Sequence, residues 1–162
     1  MEIKTFDDAF HLLMGNEGGY SNNPKDPGGE TMWGVTEKVA RKEGYTGKMK
    51  DLPVEFAKDV AKRLYWDPLN LDEINPEIAF QVFDANYHSS RGAKWLQFAA
   101  GTKTDGDIGP KTIAAVNSAD RRTIIMKFNA YRIRYLLELK IWPTFGRGWM
   151  ERIANNLIEG AN

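Results

Sequence analysis

Apolar residues along this chain recur mainly at intervals of three and four, which is the spacing of one face of an α-helix. The first stripe of this kind lies just after the N-terminus and consists of Phe6, Phe10, Leu13 and Met14. Glu17 follows one turn later, and Gly18-Gly19 comes directly after it. Thr5, with an acid three residues later, is typical of a helix N-cap, and paired glycines are typical of a helix end. We therefore predict a first helix that ends at Glu17.

Stripes of the same period predict most of the remaining chain to be helical. The predicted helices begin near Thr36, Pro53, Pro76 and Pro110, surround Trp95, and run from about Asp120 to Ile141. Trp142-Pro143 is predicted to break the long helix, and a final helix is predicted to start at Arg147 or Gly148. Alternating strand patterns are scarce. The fold class is therefore mainly α, with at most a small β-hairpin near residues 18–35.

Glu17 is the strongest candidate for chemistry because it ends an apolar helix face and opens a glycine-rich loop. Burial beside such a face disfavours the ionised carboxylate and raises its pKa, as a proton donor working near neutral pH requires. The glycines leave space for a substrate. The alternative is a glutamate that only ends the helix and caps backbone N–H groups.

Asp26 and Thr31 follow Glu17 in the same loop. Two carboxyl groups suit glycoside hydrolysis, since one protonates the leaving oxygen and the other orients water or attacks the sugar. Thr31 is a candidate for positioning that water. The surrounding Pro-Lys-Asp-Pro-Gly-Gly is also a strong turn signal, so Asp26 has turn formation as an equal alternative.

Four further residues are candidates for sugar binding. Tyr20, Trp33 and Trp66 offer aromatic faces that suit the apolar faces of sugars, although a tryptophan more often belongs to the core. Asn86 is a candidate hydrogen-bond partner for an N-acetyl group, with helix capping as the alternative.

Composition excludes several other classes of function. The chain has 162 residues, no cysteine and two histidines, which argues against disulfides, thiol catalysis and a zinc site. No signal peptide or membrane anchor is recognisable at the N-terminus. Residues 1–81 carry 10 Lys/Arg against 15 Asp/Glu, and residues 82–162 carry 12 against 7. The basic second half suits an anionic polymer, with an ordinary solvated surface as the alternative, and no nucleic-acid-binding motif is present.

The motifs around Glu17 resemble a known family. Glu17-Gly18-Gly19-Tyr20, Gly28-Gly29-Glu30-Thr31 and Tyr65-Trp66-Asp67-Pro68-Leu69 are similar to glycoside hydrolase family 108, which contains N-acetylmuramidases, mostly phage endolysins. Downstream, Trp95-Leu96-Gln97 and Asp105-Gly106-Asp107-Ile108-Gly109-Pro110 resemble the predicted peptidoglycan-binding region that usually follows in that family.

The resemblance implies a lysozyme-like, two-lobed helical fold, with a catalytic lobe at 1–90 and a C-terminal lobe at 91–162 that together form one compact unit. It implies Glu17 as the general acid that cleaves the β-1,4 bond after N-acetylmuramic acid. The spacing from Glu17 to Asp26 also matches phage lysozymes of the T4 type, whereas Thr31 falls one residue short of their pattern. No cofactor or metal is expected.

The expected partner is peptidoglycan, with no nucleic acid, no membrane insertion and a monomeric state. Without a recognisable signal, we expect a bacteriolytic, antimicrobial endolysin that stays in the host cytoplasm until a holin-type pore releases it. Two alternatives remain open: a lytic transglycosylase, which makes an anhydro product, and a non-catalytic peptidoglycan-binding or secretion-associated module.

Overall fold

A computed structural model describes residues 3–17, 19–22 and 28–161, while the side chains of Asn16 and Glu17 lie outside the description. The described residues contain eight α-helices: α1 (Phe6–Glu17), α2 (Glu37–Lys42), α3 (Val54–Ala61), α4 (Pro76–Asn86), α5 (Gly92–Ala100), α6 (Pro110–Ser118), α7 (Arg121–Leu137) and α8 (Trp142–Ala161). Helix α3 continues into a π-helical segment, Lys62–Trp66. The predicted mainly helical fold is confirmed. No helix in these ranges is both long and apolar enough to cross a bilayer.

Helix α1 begins with a reciprocal cap between Thr5 and Asp8. The Asp8 carboxylate accepts the backbone N–H of Thr5 at 3.0 Å, and the Thr5 hydroxyl accepts the backbone N–H of Asp8 at 3.3 Å. The apolar stripe then packs into the core, where Phe10 and Leu13 are almost fully buried. These contacts fix the orientation of α1, and with it the position of its last turn.

Three two-residue strands follow α1: β1 (Tyr20–Ser21), β2 (Thr31–Met32) and β3 (Val35–Thr36). They form an antiparallel sheet in the order β1-β2-β3, one strand more than a hairpin. Trp33 and Gly34 connect β2 to β3, and both have a positive φ, as a tight two-residue hairpin turn requires. The Trp33 indole N–H donates to the carbonyl of Leu52 at 3.0 Å, which ties this turn to the helical part of the chain.

Helix α4 lies at the centre of the packing. Its residues from Ile78 to Ala85 are all buried, and α1, α5, α7 and α8 pack around it. Asn75 caps its first turn by accepting the N–H groups of Glu77 and Ile78, and Pro76 occupies the first helical position, where a proline is well tolerated. This helix therefore joins the two halves of the chain.

The end of the chain differs from the prediction. Helix α7 ends at Leu137, before Ile141, and α8 starts at Trp142 rather than at Arg147 or Gly148. Pro143 lies in the first turn of α8, where its missing N–H leaves no helical hydrogen bond unmade. The proline that was predicted to break one helix therefore begins the next.

Candidate active site

A cleft of about 590 Å³ opens where the last turn of α1 meets α7 and α8. Gly15 of α1 and Ala85 of α4 contribute to its lining, and residues after α4 contribute the rest. The remaining lining residues are His88, Ser89, Trp95, Arg132, Tyr135, Leu136, Leu139, Ile141, Gly148, Trp149, Glu151, Arg152 and Asn155. A concave site with aromatic walls and a few polar groups suits the binding of an extended ligand.

A buried network centred on Asp84 forms one side of this cleft. Asp84 is fully buried, and its Oδ2 accepts hydrogen bonds at 2.7 Å from Arg132 Nη1 and from Asn156 Nδ2. Its Oδ1 accepts from Arg152 Nε at 2.7 Å. A buried carboxylate that accepts several charged donors is held in one orientation. We call Asp84, Arg132, Arg152 and Asn156 the Asp84 network.

The Asp84 network brings positive charge to the cleft. Burial lowers the pKa of Arg152 to about 10, so its guanidinium remains protonated at neutral pH. Two guanidinium groups share one carboxylate, and both arginines line the cleft. His88 adds little charge at neutral pH, because the surrounding walls desolvate its imidazole and lower its pKa, although its side chain remains partly open to solvent.

Aromatic rings form another part of the lining. Trp95 and Tyr135 pack with ring centroids 5.6 Å apart, and the Arg91 guanidinium lies 4.5 Å from the Tyr135 centroid. Trp149, on α8, lies 6.0 Å from Phe145. The cleft therefore combines cationic groups with flat apolar surfaces.

The three predicted catalytic residues differ in what the structure describes. Glu17 ends α1, two residues after Gly15, but its side chain lies outside the described part of the chain. Asp26 lies outside the described residues altogether. Thr31 is half-buried in β2, opposite Ser21 and Thr36, and is absent from the cleft lining described here. The roles of these residues remain predictions.

Among the predicted sugar-binding residues, Tyr20 is the most accessible. Its side chain is 47% exposed on β1, and desolvation, followed by a hydrogen bond with Glu30, raises the pKa of its phenol. Trp33 is half-buried and donates its indole N–H to Leu52. Neither residue belongs to the described cleft lining, so their role in sugar binding also remains a prediction.

Trp66 takes a structural position. It is 2% exposed, packs edge-on against Phe6 and Phe83, and donates its indole N–H to Asp72 at 2.8 Å. A ring this deeply packed has no free face for a sugar, so the interpretation of Trp66 as a sugar platform is replaced by a core role. Phe6 belongs to α1 and Phe83 belongs to α4, so the Trp66 ring packs between these two helices. The sequence motif that contains Trp66 therefore contributes to the core.

Asn86 acts at the junction between α4 and α5. Its side-chain oxygen accepts the backbone N–H of Gly92 at 2.9 Å, and a Cβ at Gly92 would lie 2.6 Å from that oxygen. The predicted capping alternative is thus partly observed, although the cap serves the start of the next helix. Its proposed contact with an N-acetyl group is not tested by this geometry.

The sequence patterns did not identify the Asp84 network. One available signal was Asp84 itself, an acid inside the largely apolar run of α4, because a buried carboxylate requires a charged or hydrogen-bonding partner. Arg132 offers a second signal, since it lies one turn from both Phe128 and Leu136 on a buried helix face. Neither signal identifies which residue is the partner of Asp84, because that depends on how α4, α7 and α8 pack. In the described ranges, no group of three or more acidic or histidine side chains is arranged to hold a metal ion.

Two family models and a solved structure are similar to this chain. The family model "Glycosyl hydrolase 108" matches residues 10–89, and the model "Predicted Peptidoglycan domain" matches residues 91–154. The solved structure of SagA from Brucella abortus is 33% identical to this chain, with a TM-score of 0.86. That match covers 96% of this chain and 93% of SagA. A comparison with curated proteins found no significant match.

Proposed function

This chain belongs to the glycosyl hydrolase 108 family, and we propose that it is a muramidase that hydrolyses the β-1,4 bond between N-acetylmuramic acid and N-acetylglucosamine. Family membership makes it a glycoside hydrolase, and the peptidoglycan-domain match supports peptidoglycan as its partner. The observation that carries the proposal is the position of the cleft. Gly15 lines it, and α1 ends two residues later at Glu17.

In the proposed mechanism, Glu17 is the general acid that protonates the leaving glycosidic oxygen. The capped start of α1 and its buried face at Phe10 and Leu13 hold the helix that carries this residue. Asp26 is the proposed second carboxylate, which orients water or stabilises positive charge on the sugar, and Thr31 is proposed to help place the water. This division of roles follows the requirement for one protonated and one ionised group.

The guanidinium groups of the cleft support a wall polymer that carries carboxylates as substrate. Peptidoglycan carries carboxylates on its stem peptides, and on the lactyl group of muramic acid where no peptide is attached. Arg132 and Arg152 line the cleft, and Asp84 and Glu151 bring the sum of these four formal charges to zero. The cleft therefore offers guanidinium donors, which pair well with carboxylates, without a net positive charge.

The test uses purified peptidoglycan and two proteins, the wild type and Glu17→Gln. Folding of both is checked by thermal melting, because glutamine keeps the size of the side chain and removes only its acid. We expect the wild type to release fragments whose new reducing end is N-acetylmuramic acid, identified by borohydride reduction and mass spectrometry. The equally folded variant is expected to lose activity by at least about 100-fold, the lower end of a general acid's contribution.

Each other product would point to a different function. A reducing N-acetylglucosamine end would identify a glucosaminidase, and a 1,6-anhydro end would identify a lytic transglycosylase. Binding without new ends would favour a non-catalytic wall module. Equal activity of both proteins would remove Glu17 from the mechanism while leaving the glycosidase assignment intact.

We also propose that the chain acts as a monomeric, bacteriolytic endolysin. The same pair of proteins, added to Gram-negative cells stripped of their outer membrane, tests this role through the fall in turbidity. Clearing by the wild type alone would support it, and hydrolysis of purified peptidoglycan without clearing would contradict it. Retention in the host cytoplasm before a holin-type release stays a prediction from the sequence.

A further inference from the structure

The first turns of α8 present an aromatic surface that the proposed chemistry does not use. Trp142, Phe145 and Trp149 recur at helical spacing, and Ile141 directly precedes them. Phe145 is 51% exposed and Ile141 is 52% exposed, whereas most apolar residues at helical spacing in this chain are buried. We call these four residues the α8 aromatic cluster.

The rings of this cluster are fixed in position by one another. Phe145 lies nearly parallel to Trp149, with centroids 6.0 Å apart and an interplanar angle of 25°. Trp142 packs against Trp149 from a tilted direction at 6.1 Å. Trp142 also covers Gly146, where a Cβ would lie 2.6 Å from its indole ring. The cluster is therefore a preformed surface, because ordering its rings costs little when a ligand arrives.

The α8 aromatic cluster is continuous with the cleft. Ile141 and Trp149 belong to both, so a ligand in the cleft can extend along α8 without leaving a bound surface. Gly148 lies beside Trp149 in the lining, and Gly15 lines the cleft from α1. A Cβ built at either glycine meets no atom within 4 Å. Both glycines lie in helices, where alanine is the more stable residue, so the space they leave has a cost in helix stability.

We propose that the α8 aromatic cluster is a glycan subsite, where the apolar face of a pyranose ring of the peptidoglycan strand packs on Phe145 and Trp149. This inference rests on the proposed action on peptidoglycan and adds the place where the strand extends beyond the cleft. Three of the four residues are aromatic, and flat rings complement the axial C–H face of a sugar better than branched aliphatic residues do. Because Gly15 and Gly148 have no side chains, they leave the cleft wide enough for the strand to enter between them.

Binding of peptide-free glycan strands tests this subsite directly. The strands are prepared from peptidoglycan with an amidase and titrated by calorimetry into the 162-residue chain carrying Glu17→Gln. Phe145→Leu and Trp149→Leu are each added to this background. We expect about a tenfold weaker Kd for each, the size expected for one aromatic contact. Phe98→Leu is the matched control, because Phe98 is 50% exposed on α5 and is absent from the described cleft lining.

The outcomes separate the subsite from the proposed hydrolysis. Weaker binding by both α8 variants, with an unchanged Phe98→Leu control, supports the subsite even if the wild type releases no reducing ends. Unchanged binding by both, equal loss in the control, or no glycan binding by the parent protein overturns it. If the wild type hydrolyses peptidoglycan and Phe145→Leu has the same KM, the muramidase proposal stands and the subsite does not.

The two glycines provide a test that loss of folding cannot imitate. A Cβ at either position meets no neighbour, and alanine favours the helix. In the active protein, Gly15→Ala and Gly148→Ala are therefore expected to keep or raise the melting temperature. The same variants are expected to raise KM about threefold or more, since a methyl group narrows the path of the strand. A higher melting temperature with an unchanged KM would contradict this part of the subsite.

Discussion

Two regions next to the last turn of α1 are stabilised by different kinds of contact. The sheet region, residues 19–22 and 28–36, contains three two-residue strands whose side chains are mostly exposed or half-buried. The Asp84 network is almost fully buried, and its members are joined by charged hydrogen bonds of 2.7 Å. The first region depends on turns and backbone pairing, and the second depends on packing among helices.

The two regions also differ in whether their residues can be identified from the sequence: a local motif is enough for the first, whereas the second requires the fold. The glycines of the sheet region are close together in sequence, so a local pattern identifies them. Asp84 and Asn156 are 72 residues apart and meet only after α4 and α8 have packed. An exposed loop on a rigid support is a common arrangement for a site that accepts a polymer. The following substitutions test how far the two regions differ in their contribution to stability.

Asp84→Asn is expected to have the largest effect. The substitution leaves two buried guanidinium groups without their shared carboxylate, which costs about 3–5 kcal/mol of unfolding free energy. Urea denaturation measures the change. Asp59→Asn is the matched control, because Asp59 makes an exposed pair with Arg63. An exposed pair of this kind contributes only about 0.5 kcal/mol. Equal effects of the two substitutions would show that the Asp84 network does not stabilise the fold.

Trp33→Phe is expected to have an intermediate effect on the sheet region. It removes the indole N–H that reaches the carbonyl of Leu52, a residue distant in sequence. Losing this partly buried hydrogen bond is expected to cost about 1 kcal/mol. Tyr45→Phe removes a comparable but exposed bond to the Lys48 carbonyl, and its effect should be smaller. Thermal melting of the two variants compares them. A larger fall in melting temperature for Tyr45→Phe than for Trp33→Phe would show that the hydrogen bond from Trp33 to Leu52 is not the main support of the sheet.

Thr36→Ala removes the hydroxyl that accepts the Val39 N–H at the first turn of α2. Loss of such a cap is expected to cost about 1 kcal/mol. The same residue ends the sheet in β3, so the loss should also raise the hydrogen exchange of β3 amides. Thr46→Ala, at an exposed threonine outside the helices, is the control. Unchanged exchange in β3 would show that the cap and the sheet are independent.

Asp8→Asn is expected to have the smallest effect on stability, and that effect should appear mainly in how stability depends on pH. Backbone hydrogen bonds from Lys4, then a bond from Thr5, lower the pKa of Asp8 below its usual 3.8. A carboxyl whose pKa is lower in the folded state adds stability above its unfolded pKa, and that stability is lost as the pH falls through the folded pKa. Asp8→Asn should therefore flatten the decline in stability below about pH 4, as measured by urea unfolding. An unchanged decline would exclude this cap as a source of acid sensitivity.

Local signals in the sequence predicted the helices with good accuracy where caps and prolines were present. Thr36 caps α2, and Pro76 and Pro110 open α4 and α6, all as predicted. These positions are set by hydrogen bonds within a few residues of the chain. Pro143 was misassigned because a proline can end one helix or begin the next, and the neighbouring residues do not show which of the two occurs.

The site was less predictable because its parts depend on distant partners. Trp66 looks the same in sequence whether it binds sugar or packs against Phe6 and Phe83, and only burial decides between them. Trp149 lies within the predicted final helix, and nothing local in the sequence indicates that its ring reaches a cleft. Glu17 is a different case, because a local motif identifies it in the sequence while its role as the general acid stays a prediction.

The join between α4 and α5 has a consequence for the modularity of the chain. The two family models meet near residue 90, yet Asp84 lies on one side of that boundary while Arg132 and Arg152 lie on the other. A fragment that stopped at the boundary would keep the buried carboxylate and lose both of its counter-ions. Moving either half alone into another protein would therefore leave part of the Asp84 network without its charged partners, so a single buried carboxylate couples the stability of the two halves.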